Sequence, residues 1–203
     1  MVDIGALIQR NTTRWQAMHI HPNIEVSAQA SAKLLMTGQA RFQNVAQLTH
    51  VPWGIIAVIS SREYGFLNHA LRWDCSLAQG DPWNRVSTHV PKGRGPFKSW
   101  EDAAYDALVN CAPYAGKWKD WSIGGALTLL EEYNGLGYAM RGLPSPYIFA
   151  GTDQYNRGKF DSDGHFDPFT TDTQLGCAVI LKEMYNLDGS IANGVTGAVS
   201  SSQ

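Results

Sequence analysis

Apolar residues recur at helical spacing along most of this chain and alternate at only one place. From Glu25 to Leu48 they are set among Ala, Gln, Ser and Lys, and the Thr37-Gly38 pair interrupts the run, which predicts two helices in a hairpin over about 25–49. Pro52 fits the first turn of the next helix. That segment, with Val51, Ile55, Ile56, Val58 and Ile59, is nearly all apolar, as expected of a helix buried through a domain centre, and it ends in polar Ser60-Ser61-Arg62-Glu63. Between Leu71 and Phe97 the signals change to Gly80-Asp81-Pro82, alternating Val86, Thr88 and Val90, then Pro91, Gly93, Gly95 and Pro96, predicting a small β-hairpin or irregular loop region. Ser99 followed by Asp102 makes a variant capping box ahead of an amphipathic helix with Trp100, Ala103, Ala104, Ala107 and Leu108. Trp121 to Tyr133 reads as another helix, stopped by Asn134-Gly135. Gly137 to Pro168 reads as a long irregular stretch, and Thr173 to Tyr185 as a last helix. The expected fold is mainly α (α+β), one domain over 1–187, followed by a Gly-, Ser-, Ala- and Val-rich flexible tail or linker over 188–203.

Composition narrows the function classes. At 203 residues and 44% hydrophobic, the chain suits one compact domain able to bury a core. Sixteen Lys and Arg against eighteen Asp and Glu give a net charge of -2, which provides no footprint for nucleic acid or an anionic membrane surface. No apolar run approaches the ~20 residues of a membrane span. The short apolar patch Ile4 to Ile8 has no basic region before it and ends at Gln9-Arg10-Asn11, so no cleavable signal is expected and a soluble monomer is. Cys75, Cys111 and Cys177 lack paired zinc-site spacing and read as reduced, buried thiols. No metal or cofactor is expected: the six His form no H-E-x-x-H pair, and Asp161-Ser162-Asp163-Gly164 places Gly fourth where a calcium loop needs it sixth. Ser60 and Ser61 lie outside a G-x-S-x-G elbow, which argues against acyl transfer.

The chemistry that stands out is carboxylate chemistry. Glu63 follows an apolar helix, where burial would disfavour its ionised form and make it a general acid; the alternative is a solvent-facing helix end paired with Arg62 or Arg72. The Gly80-Asp81-Pro82 turn and the following Ser87 and Thr88 offer a second carboxylate and hydroxyls to hold a water, with Asp74 as rival to Asp81. A helix-end acid facing a hairpin carboxylate is the pair that glycoside hydrolysis requires. Trp73, Trp83, Tyr138, Tyr147, Phe149 and Tyr155 fall in expected loops, placed to stack on sugar rings, whereas Trp100, Trp118 and Trp121 are assigned to the core. Lys92, Arg94, Arg141, Arg157 and Lys159 are candidates to meet carboxylates of the substrate.

These residues carry a resemblance. Helix-end Glu63, a β-region, and a buried helix closing in Leu130-Glu131-Glu132-Tyr133-Asn134-Gly135-Leu136-Gly137-Tyr138 look like the lysozyme superfamily of goose-type lysozymes, soluble lytic transglycosylases and phage endolysins. The stretches Asn84 to Phe97 and Ser145 to Phe160 also look like prophage lysozyme-like proteins, so the resemblance covers roughly Trp53 to Leu181. It implies a lysozyme-like helical domain with a β-hairpin flanking the cleft, Glu63 as catalytic acid, Asp81 and Thr88 as the hairpin groups, and Tyr133 and Asn134 contacting the reacting sugar. It also implies bacterial peptidoglycan as substrate and residence in the host cytoplasm before release to the cell wall. Tyr64 stands where transglycosylases have Ser, and their Gly-Leu-Met-Gln segment is absent, which moves the match toward endolysin-like muramidases. Lytic transglycosylases, chitinase- or chitosanase-type glycosidases and a non-catalytic carbohydrate-binding module are the alternatives.

Overall fold

The computed structural model describes residues 2–78, 81–162 and 164–195. Asp3 starts the first helix, α1 (Ile4–Ala17), by accepting from the Ala6 amide at 3.0 Å. The expected hairpin is present as α2 (Glu25–Thr37) and α3 (Gln39–Thr49), with Gly38 between them. Gly38 is required by space: a Cβ there would stand 2.6 Å from a Leu71 methyl.

The apolar run becomes α4 (Trp53–Glu63), buried at every residue from Gly54 to Ser61. Two tight strands follow, β1 (Phe66–Leu67) and β2 (Ala70–Leu71), antiparallel, with Asn68 and His69 between them at positive φ as a two-residue hairpin turn demands. Of the β-hairpin or irregular loop expected between Leu71 and Phe97, the loop is what forms, and Val86 to Val90 are not a strand. The described residues between 72 and 98 hold no element beyond an isolated Cys75–Pro82 bridge and are pinned by tertiary contacts, such as the Trp83 indole donating to the Trp73 carbonyl at 2.6 Å.

Ser99 caps α5 (Trp100–Tyr105) by accepting from the Asp102 amide, and the helix widens into a π turn over Asp106–Asn110. Ser122 caps α6 (Ile123–Asn134), which stops at Gly135 with φ 95°. The stretch expected to be irregular is more ordered than its composition suggests. It contains α7 (Gly137–Met140), α8 (Pro146–Phe149) and an antiparallel pair, β3 (Lys159–Ser162) and β4 (His165–Asp167).

The last long helix, α9 (Cys177–Leu187), is followed by α10 (Ser190–Val195) where a flexible tail was expected to begin. Ile191 of α10 is buried against the core, with Gly54 of α4 close by, so the packed structure extends past 187; residues 196–203 of that tail lie outside the described residues.

The fold is therefore mainly α with two small antiparallel sheets. α4 packs between α3 and α9, α1 lies along α6, and α2 along α9. Gly124 lets α1 and α6 approach, since a Cβ there would overlap Thr12. Trp100, fully buried, meets Trp73 and Phe42 edge-on at centroid distances of 4.7 and 5.8 Å. Trp118 and Trp121 are half-buried against the core, and all three cysteines are buried and free. Among the described residues, no helix is long and apolar enough to cross a membrane.

Candidate active site

The buried run of α4 delivers Glu63 to the helix end and into a cleft of about 620 Å³, whose lining includes Asn134, Tyr138, Tyr147, Lys159 and Asp172. The carboxyl accepts a hydrogen bond from the Tyr147 hydroxyl of α8 at 2.9 Å. Burial pushes Glu63 up to about 7, against the Tyr147 hydrogen bond and the Arg62 charge, which both favour ionisation. Its place at a helix carboxyl end, where the backbone carries partial negative charge, disfavours the carboxylate in the same sense. Glu63 thus exchanges its proton near neutrality, in the range where a general acid works.

Arg62 and Arg72, the cations closest in sequence to Glu63, are committed elsewhere. Arg62 donates to Asp172 at 2.9 Å, and Arg72 grips Asp74 with two bonds of 3.1 and 2.9 Å. The bond from Arg72 is the main reason that Asp74 lies below the usual carboxylate range. Neither arginine forms an ion pair with Glu63, so the solvated, salt-bridged helix end considered as the alternative is not what the structure has.

The second carboxylate is placed differently from the expectation. Neither Asp81 nor Asp74 lines this cleft, and neither does Thr88, whose side chain is exposed. Asp81 organises its own loop, accepting from the Thr88 amide at 3.2 Å and lying 3.0 Å from His89 Nδ1. Burial pushes it up, but these bonds together hold it below the usual range.

The carboxylate that does share the cleft is Asp172, which sequence reasoning missed. Its oxygens contact Arg62 at 2.9 Å, Lys159 at 3.5 Å and the Gln174 amide at 3.0 Å. Burial pushes it up, and Arg62, the Gln174 amide and Lys159 together hold it below the usual carboxylate range. Glu63 and Asp172 are therefore held apart in proton affinity within one cleft.

The aromatics behave as supports. Tyr138, Tyr147 and Tyr155 are 4, 3 and 5% exposed, so stacking on a sugar face, the role expected of them, is closed to their rings. Tyr147 holds Glu63 instead, and Tyr138 accepts from the Phe160 amide at 2.9 Å, which docks the β3–β4 pair against α7. Tyr155 is outside this cleft and bridges the Asp172 amide and the Gly158 carbonyl. Tyr133, half-buried, donates to the Leu77 carbonyl at 2.9 Å and lies close enough to Glu63 to feel its charge. Asn134 is exposed in the cleft wall.

Among the cationic candidates, Lys159 lines the cleft, Arg141 covers the Phe166 ring at 4.7 Å and Arg94 is paired with Asp106. No cluster of three or more His, Cys, Asp or Glu among the described residues could hold a metal ion. No family model, curated protein or solved structure matches the chain.

Proposed function

We propose that this protein is a peptidoglycan hydrolase, an endolysin-like N-acetylmuramidase that cleaves the β-1,4 bond between N-acetylmuramic acid and N-acetylglucosamine. The observation that carries the reading is Glu63: a carboxyl raised to about 7 by burial, held by Tyr147 at the end of the central helix, and opening into a cleft with Asn134 in its wall. Glu63 in its neutral form donates its proton to the glycosidic oxygen as the bond to the leaving sugar breaks, and its carboxylate then takes a proton from the water that adds to the oxocarbenium-like ring, which restores the acid. Asn134 supplies an amide to hydroxyl or acetamido groups of the sugar. The substrate is the glycan strand of the bacterial wall, met after release from the host cytoplasm.

A second reading, lytic transglycosylation, is favoured by one observation. Asp81 lies outside the lining of the cleft, and the oxygens of Asp172 are engaged, so Glu63 is the carboxyl left to act as acid and then as base. The two readings differ in product. Purified peptidoglycan is digested with the wild type, Glu63→Gln and Asp81→Asn, and the released muropeptides are weighed by mass spectrometry. Reducing N-acetylmuramic ends from the wild type, lost in Glu63→Gln and kept in Asp81→Asn, are the expected result for a muramidase whose Asp81 only organises its own loop. Anhydro ends that survive Asp81→Asn would replace that reading with transglycosylation. No release by the wild type, with chitin cleaved instead or glycan bound without turnover, would overturn the peptidoglycan enzyme.

A further inference from the structure

Arg62 is buried beside Glu63, with a side chain 6% exposed, yet it does not neutralise Glu63. Its guanidinium is taken up by one segment, 172–175, packed directly against the end of α4. It donates to the Gln174 and Leu175 carbonyls at 3.0 and 3.3 Å and to Asp172, whose side chain is 5% exposed. The segment answers in kind, because the Gln174 side-chain amide donates to the Ser61 and Arg62 carbonyls at 3.0 and 2.9 Å. Those carbonyls belong to the last turn of α4, which has no further helix to satisfy them. The 172–175 segment thus closes the end of the helix that presents Glu63.

Stability alone is a poor reason for this pair. A buried ion pair is often no better than an apolar pair of equal volume, and the Arg62 Nε is buried without a partner. What the pair does that an apolar clamp could not is decide how much positive charge Glu63 experiences.

Resting on the glycosidase reading above, we infer that Asp172 is a positioning residue for Glu63: through Arg62 it fixes the helix end that carries the acid and cancels the cation beside it. The groups facing this arrangement from the surrounding elements are Tyr147 of α8, Tyr133 of α6, Cys177 of α9 and Lys159 of β3, together with Tyr138 and Tyr155 near Asp172. Lys159 is the one other cation among them, and it too is paired with Asp172.

The test exploits opposite signs. Asp172→Asn keeps the shape but frees the Arg62 charge, so the Glu63 titration midpoint falls by roughly one pH unit. Arg62→Gln removes the cation and leaves Asp172 facing Glu63, so the midpoint rises. The double variant returns toward the wild type. Carbon-13 carboxyl NMR of Glu63 reads the midpoint without substrate, and the alkaline limb of peptidoglycan release moves with it.

Loosening of the helix end alone would move both single variants the same way or neither, and either result overturns the inference. Should Arg62→Gln fail to fold, Lys159→Met takes its place; its side chain is 38% exposed, and the expected movement is again upward. Because the titration needs no activity, the two readings fail separately. Shifts of the expected signs in a protein that releases no glycan support the positioning role while the glycosidase falls. Glycan release with an unmoved midpoint removes the positioning role and leaves the glycosidase.

Discussion

Replacing Glu63 by Gln removes the proposed proton donor and also a group whose ionisation opposes folding. The carboxyl has an ordinary value of 4.5 and stands at about 7 in the folded protein. Since the folded value lies above the unfolded one, its contribution to stability is complete below about 4.5 and is lost as pH rises through about 7. At ~1.4 kcal/mol per pH unit, the full loss is about 3 kcal/mol. Gln has the same shape and can still accept from Tyr147, but it cannot ionise, so it avoids most of this loss. The expected outcome is a Glu63→Gln protein that releases no muropeptides and is more stable than the wild type by roughly 1–3 kcal/mol at pH 8, with little difference at pH 4.5. Urea denaturation of both proteins at the two pH values measures it, and a thermal midpoint higher by several degrees at pH 8 accompanies it. A variant no more stable than the wild type at pH 8, or one whose advantage is the same at both pH values, would refute the argument that Glu63 is held as a neutral acid by burial.

Tyr147→Phe removes a hydrogen bond that favours the ionised form of Glu63, so the alkaline limb of the pH–rate profile should move up by roughly 0.5–1 pH unit while the maximal rate falls for want of orientation. A limb that moves down would contradict the assignment. Tyr155→Phe deletes two buried bonds, one from the Asp172 amide and one to the Gly158 carbonyl, and should lower stability in urea by about 1–3 kcal/mol; an unchanged midpoint would deny the hydroxyl its bridging role. At Gly137 a Cβ would come within 2.9 Å of the Phe160 ring, so Gly137→Ala should displace the β3–β4 wall and weaken binding of chitin-type or muropeptide oligosaccharides, as measured by calorimetry. Unaltered affinity would remove that wall from the binding surface.

The parts of the fold that could be read in the sequence are those where one segment holds its own explanation. The apolar run before Glu63 can only be a helix with no solvent face, the Ser99 cap needs only Asp102, and Gly135 ends α6 by its own conformation. α1 escaped because one of the positions facing α6 is Asn11, a buried polar residue whose amide bonds Thr128 and Glu131 more than a hundred residues away. Val86 and Val90 alternate as a strand would, but they are 54 and 80% exposed, and no strand among the described residues pairs with them.

The site divides along the same line. Glu63 was legible because its burial follows from the residues just before it. Its electrostatics were not, because the cation next to it is neutralised by Asp172, 110 positions along, and its hydrogen bond comes from Tyr147, 84 positions along. Of the tyrosines, Tyr138 and Tyr147 line the cleft and Tyr155 does not; composition suggested that the ring faces would be used, whereas the folded chain buries these rings and uses the hydroxyls. Exposure decides between those two uses, and exposure is a property of what packs over a residue. A sequence can therefore nominate an acid from its local environment, while the groups that set the acid's charge state come from α8 and from the segment before α9, which only the fold brings to it.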